Sequence, residues 1–388
     1  MEQLVLENEA LTKVSEESIF VTRPNLPPLD KLYPSLLEIW NSRILTNNGP
    51  FHQRFERELA KFLEVEQVNL FTNATLALVV GLEALRISGE VITTPYSFVA
   101  TTHSLRWNGI TPVFCDIDEK TLNIEADKIE ALITPNTSAI MPVHVYGHPC
   151  DTEKIQSIAD RYGLKVIYDA AHAFGVRRAN DNLFLQGDMS ILSFHGTKLF
   201  TTFEGGAIIT KDNKLKKRID YLKNFGFADE ITVVGPGING KMNELQAAIG
   251  LLGLEIVQEE IVRRKIIAKT YMESLDGIKG IKTFGLPNDI SYNYAYFPIL
   301  IDREEFGVSR DTVYEELKKY NVFARRYFYP LISNMPSYRG LPSANVINLP
   351  VANKVADQVL CLPIYGSIEI QAVQSICNCI RNISVVCK

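Results

Sequence analysis

One lysine in an apolar, glycine-rich stretch is the first residue of this sequence whose setting suggests chemistry. Lys198 lies in ILSFHGTKLFTTFEGGAI, residues 191–208, between a strand-like apolar run and a turn of small residues, with no adjacent carboxylate. A lysine acts as a nucleophile only when its amine is neutral, which desolvation and nearby positive charge favour. A solvated surface lysine is the alternative, and Lys198 on its own does not decide between the two.

A carboxylate follows the strand-like run 166–168 in VIYDAAHAFG. Asp169 is followed by two alanines and then His172. Asp169 could face a cationic group such as a protonated pyridine nitrogen, or it could simply be the N-cap of a helix. The Asp-x-x-His spacing also suggests a metal site, but His144 and His148 are the only further candidates and nothing fixes a third ligand. We therefore expect no metal.

Three further features belong with this pair. Small and hydroxyl residues open the helix-like stretch 71–82, where free N–H groups and the Thr75 hydroxyl suit a phosphate, although plain capping explains them too. Phe98 follows a strand and a proline, either to stack on a flat ring or to join the core. Asn224 precedes a glycine, which alone is ordinary helix-end chemistry. Taken together, the features describe one ligand, pyridoxal phosphate.

Alternating helix-like and strand-like stretches over residues 66–225 position these groups. Near-continuous apolar strands separated by amphipathic helices predict an α/β fold, with a large, mostly parallel sheet covered by helices on both faces. Ligands of such sheets bind beyond the carboxyl ends of the strands. The helix-like stretches are residues 75–88, 151–163 and 213–226, with N-caps at Asp151 and Asn213 and terminating glycines at Gly163 and Gly226.

A long helical stretch from Asn243 to about Leu275 indicates a connection between two units. We predict a large cofactor-binding α/β domain over residues 20–250 and a smaller α+β domain over 251–388, joined by that helix, with an N-terminal extension over 1–19. The proline-rich start of TRPNLPPLDKLYPSLLEIW forbids an early strand interior, and this N-terminal segment is expected to pack on the smaller domain.

Composition favours an ordinary globular enzyme. Of the 388 residues, 46% are hydrophobic and 22% charged, and the formal net charge of -5 disfavours a nucleic-acid partner. No apolar stretch approaches the roughly 20 residues of a membrane span, and the acidic N-terminus does not resemble a secretory signal. The six scattered cysteines are expected to be free, buried thiols of a cytoplasmic protein, and the C-terminal cluster CNCIRNISVVC lacks the histidine or second pair of a metal site.

The stretch SFHGTKLFTTFEGGA resembles the Ser-Phe-His-x-Thr-Lys…Glu-Gly-Gly signature of the DegT-type sugar-nucleotide aminotransferases, which are pyridoxal-phosphate enzymes of fold type I. Five more blocks follow the order of that family along nearly the whole chain: LTNNGPFHQRFERELAKFL, PYSFVATTHSLRWNGITPVFCDID, HVYGHPCD, DAAHAFG and GKMNELQAAIG. The resemblance therefore implies the fold type I aminotransferase architecture.

The resemblance also implies a role for each matching residue. Lys198 is expected to bind the cofactor covalently, Asp169 to keep its ring nitrogen protonated and His172 to contact the 3-oxygen side. Asn224 is expected to reach the phosphate of the neighbouring subunit's cofactor, which implies a homodimer. The other expected contacts are Phe98 on the ring face, Ala74, Thr75 and Ser193 at the phosphate, and Asn239, Lys241 and Tyr327 at the sugar nucleotide.

The activity implied by the resemblance is amino transfer from L-glutamate to a nucleotide-linked keto-sugar. Family members that act as dehydratases carry histidine in place of the lysine, so Lys198 favours the transaminases. Many relatives have glutamine at the position of His172 and arginine or tyrosine near GKMNE, which concerns substrate handling. The local subtype indicates the C4 ketone of a dTDP-linked 4-keto-6-deoxy sugar, with a product destined for O-antigen or other surface polysaccharide. A 3-keto sugar, a UDP- or GDP-linked substrate, or a non-enzymatic regulator are the alternatives.

Overall fold

The computed structural model describes residues 14–15, 17–179, 181–285 and 289–386, so most of the predicted extension 1–19 lies outside the described residues. The β-strands are β1 (Ile19–Phe20), β2 (Gln67–Phe71), β3 (Glu90–Thr93), β4 (Thr111–Phe114), β5 (Thr137–Met141), β6 (Lys165–Asp169), β7 (Arg177–Arg178), β8 (Met189–Ser193), β9 (Gly206–Thr210), β10 (Ile281–Thr283), β11 (Ile290–Ser291), β12 (Phe297–Ile301), β13 (Val322–Phe323) and β14 (Val359–Leu362). The α-helices are α1 (Leu29–Ser42), α2 (Pro50–Leu63), α3 (Ala74–Ala84), α4 (Ala100–Trp107), α5 (Ala126–Ile129), α6 (Thr152–Tyr162), α7 (Asn213–Leu222), α8 (Glu244–Leu275), α9 (Arg303–Phe306), α10 (Arg310–Lys319), α11 (Pro350–Gln358) and α12 (Ile370–Val386).

Seven strands form the main sheet, in the order β2-β9-β8-β6-β5-β3-β4. Neighbouring strands run parallel except at β9, which is antiparallel to both β2 and β8. The strands at the centre of the sheet are buried along nearly their whole length, as a sheet covered on both faces requires. The predicted α/β fold with a large, mostly parallel sheet is therefore confirmed.

Two neighbouring strands of this sheet end at residues predicted for the site. Asp169 is the last residue of β6 and Ser193 the last of β8, and Asp169 is in register with Ile191. Because parallel strands present their carboxyl ends at one edge, the chain that leaves β8 toward Lys198 begins beside Asp169.

The long helix α8 passes from one hydrophobic core to another. Its first half contributes Ala247 and Val257 to the core that it shares with α2 and the main sheet. Its second half contributes Ile267 and Tyr271 to a separate core. That second core surrounds the antiparallel sheet β10-β12-β14 together with α10 and α12. The predicted domain boundary at residue 250 stays a prediction.

The N-terminal strand packs on the smaller unit. β1 pairs in parallel with β13, with Ile19 opposite Val322, and Ile19 is buried in the second core. The segment TRPNLPPLDKLYPSLLEIW, for which this placement was expected, differs, because its helix α1 contributes Ile39 to the core that α8 shares with α2 and the main sheet.

A buried carboxylate joins the main sheet to helix α11. Asp116 follows β4, and its carboxylate accepts hydrogen bonds from the first-turn N–H groups of Val351 (3.2 Å) and Ala352 (2.9 Å). The Lys128 ammonium lies 2.9 Å from the same carboxylate, whose side chain is 0% exposed. Asp116 therefore caps α11 from outside that helix.

Both predicted ends of α7 are wrong. Asp212, rather than Asn213, accepts the hydrogen bonds of the first-turn N–H groups, because the stronger carboxylate acceptor stands one residue earlier. The helix ends at Leu222 instead of continuing to Gly226. Both predicted caps of α6 are confirmed.

Five of the six cysteines are described, and each is buried and free, as the sequence led us to expect; the sixth, Cys387, lies outside the described residues. No helix within the described ranges is long and apolar enough to cross a membrane. The same residues contain no group of three or more His, Cys, Asp or Glu side chains arranged to hold a metal ion.

Candidate active site

Asp169 is a buried carboxylate held by a hydroxyl and a backbone N–H. Thr101 Oγ1 donates to its Oδ2 at 2.8 Å, and the Ala171 N–H donates to its Oδ1 at 3.1 Å. Burial raises the pKa of the Asp169 carboxyl, while these two hydrogen bonds and the charge of Lys198 oppose the shift. No α-helix begins between Asp169 and β7, so the N-cap alternative is wrong. Among the described residues no ion pair neutralises this carboxylate, so the position favours a cationic ligand.

Lys198 lies in the loop that follows β8, and its amine faces an aromatic ring. Lys198 Nζ is 5.8 Å from the centre of the Tyr296 ring, within the range of a cation–π contact. Burial lowers the pKa of the Lys198 amine from 10.5 to about 8, and the Asp169 charge opposes this shift. No hydrogen bond or ion pair holds the amine within the part of the chain that the structure describes. A larger fraction of the Lys198 amine is therefore neutral near pH 7 than in a solvated surface lysine.

His172 is a buried, neutral imidazole. Burial and the charge of Lys198 lower the pKa of His172 well below its ordinary value. Its Nδ1 accepts the Tyr146 N–H at 3.2 Å, so the ring proton is on Nε2. Asn293 Nδ2 donates to the His172 carbonyl at 2.8 Å and fixes the turn. The ring therefore presents an N–H donor, with no partner for Nε2 among the described groups.

The start of α3 offers two free backbone donors. The N-cap Asn73 accepts the Leu76 N–H at 2.9 Å, which leaves the Ala74 and Thr75 N–H groups without an acceptor in the described chain. A positive helix end with two such donors suits a phosphate, as predicted.

A glycine in β9 brings this helix start to the edge of the sheet. A Cβ at Gly206 would lie 2.7 Å from both the Cα and the N of Ala74, which no side chain tolerates. Gly206 is in register with Ser193, the last residue of β8. Gly206 therefore lies against Ala74 on one side and opposite Ser193 on the other, and Ser193 is buried.

The Phe98 side chain is exposed, close in sequence to the residue that contacts Asp169. It is 51% exposed, although it lies only three residues before Thr101, the hydrogen-bond donor to Asp169. The core alternative for Phe98 is therefore wrong. Its stacking on a bound ring stays a prediction.

Asn224 and Lys241 form a pair on the strand β2 side of the site. Lys241 Nζ donates to Asn224 Oδ1 at 2.7 Å, and Asn224 makes a β-bridge with Asn239. The Gly240 carbonyl accepts the Thr72 N–H at 2.8 Å, two residues before α3 begins. The structure thus brings the predicted substrate loop to the start of α3. Their contacts with a substrate or a second subunit stay predictions.

Tyr327 belongs to an aromatic wall above the lysine. Its ring lies 5.7 Å from that of Tyr296 at an interplanar angle of 80°, and Tyr296 in turn contacts Lys198 and His172. Phe328 stacks on His172 at 5.9 Å and 3°. The smaller unit therefore supplies this wall, while the main sheet supplies the amine and the carboxylate.

Sequence reasoning missed two residues of this site. Thr101 lies in the block PYSFVATTHSLRWNGITPVFCDID, where Ser97 and Thr101 have the i, i+4 spacing of one helix face. Their hydroxyl oxygens are 2.8 Å apart. The other is Tyr296, for which no local sequence signal indicates a contact with Lys198. Its contact joins distant parts of the chain.

The sequence model of the DegT/DnrJ/EryC1/StrS aminotransferase family matches residues 31–381 of this chain. The chain belongs to this family. It is 56% identical, over 94% of its length and 98% of the other protein, to dTDP-4-amino-4,6-dideoxy-D-glucose transaminase from Escherichia coli. It is 50% identical to the Shigella dysenteriae protein of the same name, over 95% of this chain and 100% of that one. The solved structure of DesI in the presence of its TDP-sugar product superposes with a TM-score of 0.92 at 36% identity, covering 96% of this chain and 94% of that one.

Membership of this aminotransferase family implies pyridoxal phosphate, and the described residues fit that group. The cofactor has an aldehyde, a basic ring nitrogen and a phosphate. Lys198 offers an amine whose pKa is about 8, and Asp169 offers a buried carboxylate without an ion-pair partner in the described chain. Ala74 and Thr75 offer free N–H groups to the phosphate.

Proposed function

We propose that this aminotransferase moves the amino group of L-glutamate to the C4 ketone of dTDP-4-keto-6-deoxyglucose, giving dTDP-4-amino-4,6-dideoxyglucose. The Lys198 amine carries the amino-transfer chemistry, because it is buried, feels the charge of Asp169 and lies 5.8 Å from the centre of the Tyr296 ring. The similarity to the two dTDP-sugar transaminases supports the choice of nucleotide, sugar and carbon atom.

When bound, pyridoxal phosphate supplies an electrophilic carbon and a ring that accepts the electron pair left when a proton leaves the amino donor. Lys198 is the group that holds and moves this proton. Its desolvated amine is a base strong enough to take a proton from the donor carbon and, once charged, acidic enough to return it. Burial therefore tunes the same side chain for both directions of proton transfer.

Asp169 provides the negative charge that keeps a ring nitrogen protonated. The Thr101 hydroxyl and the Ala171 N–H stabilise its ionised form against burial. His172 presents its Nε2–H as a neutral donor to the oxygen substituent of the ring. Both roles are electrostatic, and both depend on groups held in place before the ligand arrives.

Ala74, Thr75 and Ser193 hold the phosphate in this proposal. Two backbone N–H donors at the positive end of α3 and a buried hydroxyl give the phosphate oxygens directed donors without a permanent positive charge. Phe98, exposed next to Thr101, covers one ring face. Asn239, Lys241 and Tyr327 face the sugar nucleotide.

A homodimer is part of the proposal, and exposed apolar side chains support it. Four large side chains follow one face of α1 and are 46–75% exposed: Leu29, Tyr33, Leu37 and Trp40. Five more are clustered after Asn224, at 40–89% exposure: Phe225, Phe227, Ile231, Val233 and Val234. Patches of this kind mark contact surfaces between proteins. We propose that the second patch carries Asn224 to the partner's phosphate.

A mixed dimer tests this composite site. Chains with Lys198→Ala and chains with Asn224→Ala are each inactive or impaired as homodimers, and light scattering gives their mass. If Asn224 acts across the interface, mixing them restores one complete site in each heterodimer. If it acts within its own chain, mixing restores nothing.

We further propose that the protein works in the cytoplasm and that its product enters O-antigen or another surface polysaccharide. The five described cysteines are all free, which supports a reducing compartment. The chemistry supports the polysaccharide role, because a nucleotide-linked amino sugar is an activated donor for glycosyl transfer.

The central experiment is a direct assay of amino transfer. Purified protein is given pyridoxal phosphate, L-glutamate and a panel of dTDP-, UDP- and GDP-linked 3-keto and 4-keto sugars, and products are identified by mass spectrometry. The expected result is preference for the dTDP-linked 4-keto-6-deoxy sugar. Borohydride treatment should attach the cofactor to Lys198, and Lys198→Ala should lose turnover. Amination of none of the panel would contradict the proposal.

A further inference from the structure

Arg325 is a cation at the mouth of the site that no role described so far uses. Its side chain is exposed, and its guanidinium carbon lies 4.4 Å from the centre of the Tyr327 ring. None of the hydrogen bonds or ion pairs of the described chain engages this guanidinium. An exposed arginine over an aromatic ring, without a partner among the described groups, keeps its N–H donors available to an anion.

The neighbouring arginine shows the contrast. Arg326 donates to Asp311 at 2.8 Å, and its guanidinium lies over the rings of Tyr314 and Tyr329. Its charge is therefore neutralised within the protein. Of these two adjacent arginines, therefore, only Arg325 keeps its charge available for a ligand at the aromatic wall.

The backbone that carries Arg325 is fixed from two sides. The Arg325 N–H and C=O exchange hydrogen bonds with Cys361 at 3.0 and 2.7 Å. Tyr96 Oη donates to the Tyr327 carbonyl at 3.1 Å, and Tyr146 Oη also bonds this carbonyl. Because the main chain is held at both residues, the guanidinium needs little reorganisation to bind a ligand.

The geometry relates this cation to the reacting amine through two rings. Arg325 lies on Tyr327, Tyr327 contacts Tyr296 at 5.7 Å, and Tyr296 contacts Lys198 Nζ at 5.8 Å. An unbroken series of contacts therefore runs from the guanidinium through the Tyr327 and Tyr296 rings to the Lys198 amine. In a nucleotide-linked 4-keto sugar, the diphosphate on C1 is separated from the C4 ketone by the pyranose ring.

We propose that Arg325 binds the diphosphate of the nucleotide-linked sugar and thereby places C4 at the Lys198 amine. The planar guanidinium donates paired hydrogen bonds to phosphate oxygens, while the Tyr327 ring limits its movement. This inference rests on the proposed function, because it requires a nucleotide-linked substrate.

The test compares Arg325→Gln and Arg325→Lys with the matched control Arg326→Gln, all loaded with pyridoxal phosphate. The two half-reactions are measured separately by cofactor absorbance, one with glutamate and one with the keto-sugar nucleotide. Arg325→Gln should raise KM for the sugar nucleotide about 10- to 100-fold, with little change in kcat. Arg325→Lys should recover part of this loss. The control should stay within about threefold of the wild type.

The binding of dTDP and thymidine, which carry no keto-sugar, measures the contact between Arg325 and the diphosphate separately from turnover. Arg325→Gln should weaken the binding of dTDP about as much as it raises KM, while the binding of thymidine, which lacks phosphate, should not change. An unchanged glutamate half-reaction shows that the variant is folded. Equal KM in the Arg325 and Arg326 variants, or a loss confined to the glutamate half-reaction, overturns the role of Arg325. Failure of the wild type to aminate any nucleotide sugar would instead refute the proposed function.

Discussion

Replacing Lys198 with methionine in the cofactor-free protein tests how the site generates a neutral amine. In the wild type, burial lowers the pKa of this amine from 10.5 to about 8, so folding disfavours its charged form. Below about pH 8 the folded protein carries the full cost of a buried ammonium. That cost disappears as the pH rises from 8 toward 10.5, since the folded state then loses the proton that the unfolded state still keeps.

The size of the effect follows from the shift. A change from 10.5 to about 8 corresponds to about 3 kcal/mol, and partial access of water to the loop reduces this to about 2 kcal/mol. The Lys198→Met variant carries no such cost. At pH 7 it should therefore be more stable than the wild type by about 2 kcal/mol, and this advantage should shrink at higher pH.

Urea unfolding of both cofactor-free proteins between pH 7 and pH 10 measures this difference. The exposed Lys214 of α7 provides the control, and Lys214→Met should leave the pH dependence unchanged. Comparing the difference between two proteins at each pH cancels the titration of groups that do not interact with Lys198. A Lys198→Met advantage that is absent at pH 7, or that is constant up to pH 10, would refute the claim that burial lowers the lysine pKa.

Three further outcomes follow from the described contacts. Thr101→Val should lower kcat about 10- to 100-fold, because Asp169 loses a hydrogen bond to its ionised form, whereas Thr101→Ser should stay near wild type in steady-state assays. Asp116→Ala should lower the free energy of unfolding by about 3 kcal/mol in urea titrations, with Asp116→Asn less harmful. Gly206→Ala should weaken cofactor binding, measured by absorbance titration, because its Cβ would press on the start of α3; wild-type affinity would contradict this.

The sheet was predictable where its strands are apolar and was missed where a polar residue interrupts one. The central parallel strands follow from near-continuous apolar runs. β2 was not predicted, because Asn69 interrupts a five-residue strand; the structure buries Asn69 and pairs its side chain with the Lys216 carbonyl and Asp220. The antiparallel direction of β9 depends on the Lys198 loop that precedes it, which no periodicity encodes.

The site was predictable to the extent that its residues stand at the ends of strands. Asp169 is the last residue of β6, and the Lys198 loop follows β8. Neighbouring parallel strands bring their carboxyl ends together whatever segment connects them. Thr101 and Tyr296 reach the site from a neighbouring helix and from the smaller unit. Their directions depend on tertiary packing, so the sequence alone does not reveal them.

The helix α8 is bonded to both sides of the lysine pocket. Near its start, the Gln246 amide donates to the carbonyls of Thr72 and Glu204, beside the phosphate end and the Lys198 loop. Five turns later, Arg264 donates to the Ala295 carbonyl, the residue before Tyr296. Helix α8 thus sets the spacing between the Lys198 amine and the Tyr296 ring. A hinge motion that widened the pocket there would have to bend α8 or break the Arg264 hydrogen bond. We therefore expect the substrate to enter from the solvent side of the aromatic wall, without a rotation of the smaller unit relative to the main sheet.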